Sequence, residues 1–342
     1  MEFGTLLSWE VEILGFNLTT HHLNKKHINT STKIININPV ANMQYITPED
    51  WKEKGSYFNY ISHKVFYREV NEVPEGAPVL LLLHGFPTAS WDWYKLWDSL
   101  AKHFRIFAPD FLGFGFSDKP REYQYSILDQ ADMVELLLQK KKVNKVHLLA
   151  HDYGDTVAQE LLARHQDRVQ FREDGILLRS ITLLNGGLFP EVHHPKPIQK
   201  LLLGPFGKYV AKFLTEKKFR ENMVSIFGKD HPPTDKELNA FWQLVNYNHG
   251  QQVTHKLMHY MKERKTHRTR WVESLRKTKV PIRFIDGLQD TISGQDMADR
   301  YKELISNPDV IELPDSGHYP QIEQPEEVLK HFYEFHGKEA GV

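Results

Sequence analysis

The chain has 342 residues, enough for one large core with an insertion or for two domains. Its 43 basic and 44 acidic residues nearly cancel, so the global charge points to neither nucleic acid nor an anionic membrane as a partner. The absence of cysteine excludes a disulfide framework, a thiol nucleophile and thiolate metal ligands. The 19 histidines are scattered without metal-binding spacing, so we expect neither a metal nor a cofactor.

The first part of the chain differs in composition from the rest. Residues 1–45 are polar and lack clear periodicity, and we expect a poorly ordered extension outside the fold. The segment Met1–Phe16 lacks a basic region and is a poor signal peptide. No apolar stretch reaches about 18 residues, so the sequence predicts no transmembrane helix. We therefore expect a cytoplasmic protein, and the sequence leaves its oligomeric state open.

Strands and helices alternate from residue 46 to residue 187. Continuous apolar runs such as Val79–Leu83 are typical of strands buried on both faces. A hairpin over 57–70 comes first, followed by predicted strands at 79–83, 105–108, 146–150 and 180–184 and predicted helices at 90–100, 126–140 and 156–164. Strands separated by helices of about ten to fifteen residues predict a parallel sheet.

The alternation stops over residues 188–278, which have the composition of several short helices, and it resumes over 279–342. The second part contains predicted strands at 281–286 and 310–313, a helix at 294–304 and a last helix that begins at Pro325. A helical insertion in such a pattern predicts a lid over the carboxyl ends of the strands, where parallel sheets bind ligands. The predicted class is α/β, with a mostly parallel sheet, flanking helices and this inserted lid.

A sharp turn between a strand and a helix carries the main chemical signal. The turn Ala150-His151-Asp152-Tyr153-Gly154 has small residues two positions on either side of its centre, as in the nucleophile elbow usually written G-x-S-x-G. Asp152 stands where a serine would be expected. A carboxylate at this position can attack an electrophilic carbon and form an alkyl ester on the enzyme.

Two further residues complete a predicted catalytic set. Asp290 and His318 each follow a predicted strand, and the chain order nucleophile, acid, histidine is that of α/β-hydrolases. His318 would activate a water that attacks the ester, and Asp290 would orient His318. Asp286 and Asp315 are the nearest rival acids, but Asp286 falls within its strand and Asp315 is close to His318 in sequence.

Hydrolysis of an ester on Asp152 develops an oxyanion that needs hydrogen-bond donors. The backbone N–H of Tyr153 is one predicted donor, and that of Phe86 in the turn His84-Gly-Phe-Pro87 is the other. We interpret His84 as a structural hydrogen-bonding residue.

Two substrate classes, epoxides and alkyl halides, can form an alkyl ester on the enzyme. Neither Phe86 nor Tyr153 offers a side-chain N–H to a departing halide, which favours a small, apolar epoxide as substrate.

Several motifs together resemble the epoxide-hydrolase-like branch of the α/β-hydrolases over about residues 50–336. They are His84-Gly-Phe-Pro87, Asp110-Phe-Leu-Gly-Phe-Gly-Phe-Ser117, His151-Asp-Tyr-Gly154, Asp290 and Gly317-His318. The resemblance implies two lid tyrosines that hold the epoxide oxygen. Tyr260 stands where the second is expected, Tyr209 is the best candidate for the first, and Tyr247 is a weaker one.

The lid residues and the overall function each leave alternative interpretations open. The lid aromatics, Trp242 among them, are expected to be partly core and partly pocket wall. The basic run Lys262–Arg270 is interpreted as a solvated helix face. A haloalkane dehalogenase is the alternative enzyme, and a non-catalytic ligand-binding homologue is the alternative of another class. An acyl hydrolase is disfavoured because Asp152 would have to form an anhydride.

Overall fold

A computed structural model describes residues 44–70, 72–73 and 76–339, with the backbone alone for residues 338 and 339. The predicted extension over 1–45 lies outside the described residues except for Gln44 and Tyr45. Tyr45 packs edge-on against Trp91, with 6.1 Å between ring centroids. The fold therefore begins slightly earlier than the predicted boundary.

Eight strands form one sheet among the described residues. They are β1 Ser56–Tyr60, β2 His63–Val70, β3 Val79–Leu83, β4 Arg105–Pro109, β5 Lys145–His151, β6 Leu177–Leu184, β7 Ile282–Gly287 and β8 Asp309–Leu313. Their order is β1-β2-β4-β3-β5-β6-β7-β8. The pairs β1–β2 and β2–β4 are antiparallel and all other neighbouring pairs are parallel, which confirms the predicted α/β class.

The described helices alternate with the strands and also fill the long segment between β6 and β7. They are α1 Pro48–Glu53, α2 Tyr94–Leu100, α3 Ile127–Lys140, α4 Tyr153–Phe171, α5 Pro197–Leu203, α6 Gly207–Lys212, α7 Glu216–Val224, α8 Asp235–Asn246, α9 Thr254–Leu257, α10 Tyr260–Thr266, α11 Arg268–Lys277, α12 Gln295–Leu304, α13 Pro320–Glu323 and α14 Pro325–Glu339. Short 3-10 helices span Ser90–Trp93 and Tyr247–Val253.

The apolar strands separate two hydrophobic layers. Leu81 and Leu83 of β3 face a core that includes α3 and α4, whereas Leu80 and Leu82 face a core that includes α2 and α14. Alternate residues of a strand point to opposite faces, so a run of leucines can fill both layers. The sheet is covered on both sides, and its carboxyl edge remains for a site.

Residues 188–281 are all described, and that segment contains helices and no strand. We call the helices from α5 to α11 the inserted helices. Their behaviour as a separate lid domain stays a prediction. Within the described part of the chain, no helix is both long and apolar enough to cross a bilayer.

Candidate active site

Asp152 occupies the sharp turn between β5 and α4. Its backbone angles are φ 46° and ψ −100°, a strained conformation that presents the side chain at the carboxyl edge of the sheet. The turn is tight because Gly154 packs on β3, where an added Cβ would lie 2.3 Å from the Leu83 carbonyl oxygen. The small residue expected two positions after the centre of the elbow is therefore a steric requirement.

The Asp152 carboxylate is buried but has compensating partners. The Phe86 N–H donates to Oδ2 at 3.0 Å, and the Arg264 guanidinium Nη2 lies 3.4 Å from Oδ1. Burial alone would raise the pKa of Asp152, but the positive charges of His318 and Arg264 and the Phe86 N–H lower it below its ordinary value. Asp152 is thus held as a carboxylate, the form that a nucleophile requires.

His318 and Asp290 lie together in loops that follow β8 and β7. The distance from His318 Nδ1 to Asp290 Oδ2 is 2.6 Å. Asp290 also accepts hydrogen bonds from the Ile292 N–H, the Ser293 hydroxyl and the Asn185 amide. Burial opposes ionisation of Asp290, but His318 and these donors lower its pKa. Asp290 can therefore fix the tautomer of His318 with Nδ1 protonated and Nε2 free.

The charge of His318 is stabilised by its surroundings. Burial would lower the pKa of this imidazole, but the carboxylates of Asp290 and Asp152 outweigh burial and raise it above its ordinary value.

The two rival acids, Asp315 and Asp286, do not contact His318. Asp315 is exposed, and the buried Asp286 carboxylate has no hydrogen-bond partner among the described residues. Asp290 is the acid that contacts His318.

A buried carboxylate and a second histidine support the loop of His318. Glu323 accepts hydrogen bonds from the backbone N–H groups of Gly228, Gly317 and Tyr319 at 2.7–2.8 Å. His151 Nε2 donates to the His318 carbonyl oxygen at 2.7 Å. Burial lowers the pKa of His151 to about 3, so this imidazole is neutral at ordinary pH. These contacts restrict the backbone on both sides of His318.

His84 has a structural position beneath the early turn. Its Nε2 accepts the Phe111 N–H at 3.0 Å, and its Nδ1 donates to the Gly85 carbonyl at 2.8 Å. Both nitrogens are engaged with backbone groups, and burial lowers the pKa of His84 to about 3. The imidazole is therefore neutral and orients the turn that presents the Phe86 N–H.

A mainly apolar cavity opens above Asp152 and His318, both of which lie in its wall. Most of the wall comes from the inserted helices. The apolar side chains there include Ile198, Leu202, Leu214, Phe219, Met223 and Ile226, and the polar ones are Lys196, Gln199, Asn222 and Thr254. Such a cavity, with a few convergent polar groups, is typical of a site for a small ligand.

Tyr260 and Tyr153 pack beside the candidate site. Tyr260 is 2% exposed, and its ring centroid lies 5.0 Å from that of Tyr153 and 6.2 Å from that of Phe86. Burial and the Asp152 charge raise the pKa of Tyr260, so its hydroxyl is protonated at ordinary pH. Within the described residues the Tyr153 N–H makes no hydrogen bond to the Asp152 carboxylate. Its part in an oxyanion hole stays a prediction.

The other predicted lid residues lie outside the cavity wall. Tyr209 is 55% exposed on α6. Trp242 packs on Phe219 with 5.3 Å between ring centroids and is not among the residues that line the cavity. The Tyr247 hydroxyl accepts a hydrogen bond from Lys52 Nζ at 3.0 Å. None of the described residues that line the cavity is a tyrosine, and the placement of Tyr209 gives no support to its predicted contact with substrate.

Arg264 is the residue that sequence reasoning missed. The expectation that the run Lys262–Arg270 is a solvated helix face is wrong for Arg264, because this side chain is 2% exposed and contacts Asp152. Its Nε also donates to the Thr156 hydroxyl at 2.7 Å, and its guanidinium lies 4.5 Å from the centre of the Tyr260 ring. The sequence signal that could have found it is the spacing between Tyr260 and Arg264, because residues four positions apart share one face of a helix.

The chain is similar in sequence to known proteins. A family model described as the alpha/beta hydrolase fold matches residues 78–171. The mesoderm-specific transcript protein of Mus musculus is 41% identical over 282 residues, which are 80% of this chain and 83% of that protein. The chain belongs to the α/β-hydrolase family. The recognition of an α/β-hydrolase from motifs such as His84-Gly-Phe-Pro87 is thereby confirmed.

Solved α/β-hydrolase structures are similar in fold. The structure of epoxide hydrolase CorEH matches with a TM-score of 0.67 and 18% identity, covering 82% of this chain and 97% of that one. Haloalkane dehalogenase DbeA from Bradyrhizobium elkani matches with a TM-score of 0.69 and 21% identity, covering 84% and 99%. Both activities thus occur on this fold, so the substrate must be argued from the site.

Proposed function

We propose that this α/β-hydrolase opens a small apolar epoxide to a diol through an alkyl ester on Asp152. The observation that carries the proposal is the position of the Asp152 carboxylate at the sharp turn, in the wall of the same cavity as a histidine paired with Asp290. A serine hydrolase needs a hydroxyl at that turn. A carboxylate suits attack on an sp³ carbon better than acyl transfer.

In the first step, an Asp152 oxygen attacks an epoxide carbon and the carbon–oxygen bond of the ring breaks. Arg264 at Oδ1 and the Phe86 N–H at Oδ2 keep the carboxylate ionised, and because each oxygen has only this one contact among them, Oδ1 keeps a lone pair with which to attack. The electron pair of the broken bond goes to the epoxide oxygen, which takes a proton. We assign that proton to the Tyr260 hydroxyl, because this phenol is buried beside Asp152 and its raised pKa keeps it protonated.

In the second step, water hydrolyses the ester. His318 Nε2 takes a proton from water, and the resulting hydroxide adds to the carbonyl carbon of Asp152. The Phe86 N–H, which already donates to Oδ2 at 3.0 Å, stabilises the oxyanion that develops there. The bond between that carbon and the alkylated oxygen then breaks, the leaving alkoxide takes the proton of the newly added hydroxyl group, and the diol leaves with the original oxygen while Asp152 returns to its carboxylate form. Asp152 retains one oxygen from water, and the proton on His318 returns to the Tyr260 phenolate.

The groups around Asp152 favour an epoxide over an alkyl halide. A departing halide needs N–H donors, and no described residue that lines the cavity contributes an indole. An alkoxide needs a proton, and we assign its source to the neutral phenol of Tyr260, which is buried beside Asp152 although it is not among the residues that line the cavity. The apolar wall favours a substrate without charge. The epoxide preference therefore rests on Tyr260, and the covalent mechanism rests on Asp152 and His318.

Product analysis tests the proposal. The full chain would be incubated with a panel of aryl epoxides and bromoalkanes, and diols, alcohols and bromide would be quantified by chromatography. We expect diols from epoxides, no diol with Asp152→Asn, and retained activity with the matched control Asp315→Asn, because Asp315 is exposed and lacks contact with His318. Diol formation that survives Asp152→Asn would refute the mechanism.

A second variant separates the two substrate classes. Tyr260→Phe should lower the rate of epoxide opening by about 10²- to 10⁴-fold, the usual contribution of a positioned general acid. The same variant should leave any bromoalkane turnover nearly unchanged, because bromide needs no proton. Bromide release without diol would instead favour a dehalogenase. Absence of turnover on both substrate sets would favour a ligand-binding protein.

A further inference from the structure

Large exposed apolar side chains are concentrated on a few of the inserted helices. Nine such side chains are exposed among the described residues, and five of them fall between residues 201 and 224. They are Leu201, Phe206, Tyr209, Phe213 and Val224. Single exposed apolar residues are ordinary, but a group of them marks a surface that contacts something.

Three of these residues lie on and next to α6. Tyr209 is in the helix, and Phe206 and Phe213 are the residues that flank its two ends, at spacings of three and four positions that favour one side of the helix. They are 70%, 55% and 71% exposed. Leu201 on the preceding helix α5 is 57% exposed. We call these four residues the α6 face.

Lysines accompany the α6 face. Between residues 200 and 218 the chain has five lysines and one glutamate, whereas the whole chain has a net charge of −1. Lys208 Nζ lies 5.6 Å from the centre of the Tyr209 ring, and Lys212 Nζ lies 5.8 Å from that of Phe213. Positive charge is therefore adjacent to the exposed rings. No ion pair to Lys208 or Lys212 occurs within the described residues.

Residues of α5 and of the segment after α6 line the cavity. Ile198 and Leu202 of α5, and Leu214 just after α6, lie in the cavity wall. The segment 198–214 therefore carries both the exposed aromatic rings and part of the cavity wall.

We propose that the α6 face docks on the surface of an anionic phospholipid bilayer, so that an apolar substrate enters the cavity directly from the lipid. Aromatic rings prefer the interface between headgroups and acyl chains, and nearby lysines attract anionic headgroups. An amphipathic helix of this kind lies on a membrane without crossing it. The net charge of the whole chain gives no indication of such a partner, because the lysine excess is local.

Co-sedimentation with vesicles tests the docking surface. The full chain would be mixed with vesicles of phosphatidylcholine alone or with added phosphatidylserine. We expect binding that needs phosphatidylserine and weakens as salt is raised. The Phe206→Ser/Phe213→Ser variant should lower the partition coefficient by about 10- to 100-fold, from the apolar area that each ring buries. The matched control Val169→Ser/Phe171→Ser, which changes two apolar side chains exposed at the end of α4, should bind as the unmodified chain does.

A charge variant tests the electrostatic part. Lys208→Glu/Lys212→Glu should lower binding to phosphatidylserine vesicles by about 10-fold or more, at roughly 1 kcal/mol for each lysine near the surface. The control Lys102→Glu/Lys140→Glu makes the same charge change elsewhere and should bind normally. Asp152→Asn should also bind normally, which keeps this test independent of the proposed reaction.

Three outcomes would overturn the proposal. One is no binding to either vesicle in a folded protein. Another is equal binding by the unmodified chain and the Phe206→Ser/Phe213→Ser variant, which would place the contact elsewhere in the chain. The third is a dimer at working concentration that the same variant converts to a monomer, because the α6 face would then be covered by a second copy.

Discussion

Replacing Arg264 by methionine should expose how strongly this cation stabilises the candidate nucleophile. The guanidinium and the Asp152 carboxylate are both buried, and Nη2 lies 3.4 Å from Oδ1. Methionine keeps much of the length of the side chain and removes the charge. Removing one partner of a buried ion pair leaves the other unpaired, so we expect a loss of about 3–5 kcal/mol in the free energy of unfolding.

The distance sets the size of the direct interaction. Coulomb's law at 3.4 Å gives about 5 kcal/mol at an effective dielectric constant of about 20. Desolvation offsets part of it, and hydrogen bonds to charged groups contribute about 1.5–3 kcal/mol net. We therefore expect a coupling energy of about 2 kcal/mol between the two side chains. The separate contact of Arg264 with Thr156 cancels in a double-mutant cycle.

Urea denaturation of four proteins measures this coupling: the unmodified chain, Arg264→Met, Asp152→Asn and the double variant. A control cycle pairs Arg264→Met with Asp309→Asn. Asp309 lies on the edge strand β8 and contacts Arg283 of β7, so its effect should be additive with that of Arg264. A coupling below about 0.5 kcal/mol, the usual limit of additivity, would refute the claim that Arg264 stabilises the Asp152 charge.

Three further predictions concern pH and packing. Alkylation of Asp152, measured by rapid quench, should be constant from pH 8 to about pH 5 because the pKa of Asp152 is lowered. Ester hydrolysis should instead become slower as pH falls, because His318 becomes protonated. Parallel pH profiles for the two steps would contradict these roles. The pKa of buried His84 is lowered to about 3, so as pH falls this residue takes up a proton in the unfolded chain before it does so in the folded one. The drop in stability from pH 7 to pH 5, measured by urea titration, should therefore be about 2 kcal/mol smaller in His84→Asn than in the unmodified chain. An unchanged drop would contradict this. Gly154→Ala should lower the melting temperature severely or prevent folding, because its Cβ would lie 2.3 Å from a backbone carbonyl oxygen. The control Gly337→Ala, where an added Cβ meets open space, should be neutral or stabilising. A well-folded Gly154→Ala would contradict the packing described for this turn.

The elements that the sequence predicted well depend on local patterns. The leucine run Val79–Leu83 fits a strand buried on both faces, and the Ser126 hydroxyl caps α3 by accepting the Asp129 N–H, as its residue type indicates. The candidate site was predictable because Asp152, Asp290 and His318 each follow a strand. Strands of a parallel sheet end at one edge, so topology alone brings such residues together.

The residues that were misjudged depend on tertiary packing. Arg264 lies in a strongly basic run whose other cations include ones that pair at the surface, such as Arg268 with Glu191. Nothing in the local composition distinguishes the one cation that contacts Asp152. Tyr209 is the opposite case, because it lies on a helix of two turns that has apolar residues on both faces. Hydrophobic periodicity cannot assign the buried face of so short an element.

Intact-mass spectrometry of the His318→Gln variant tests the central claim most directly. Without the base, the ester on Asp152 should form and persist, so incubation with an aryl epoxide should add the mass of one epoxide, and peptide mapping should place it on Asp152. The loop should keep its position in this variant, because the N–H of the adjacent Tyr319 still donates to Glu323. An adduct on Asp152 that is lost in the His318→Gln/Asp152→Asn double variant is the predicted result. Full turnover by His318→Gln with no adduct on Asp152 would contradict the covalent mechanism.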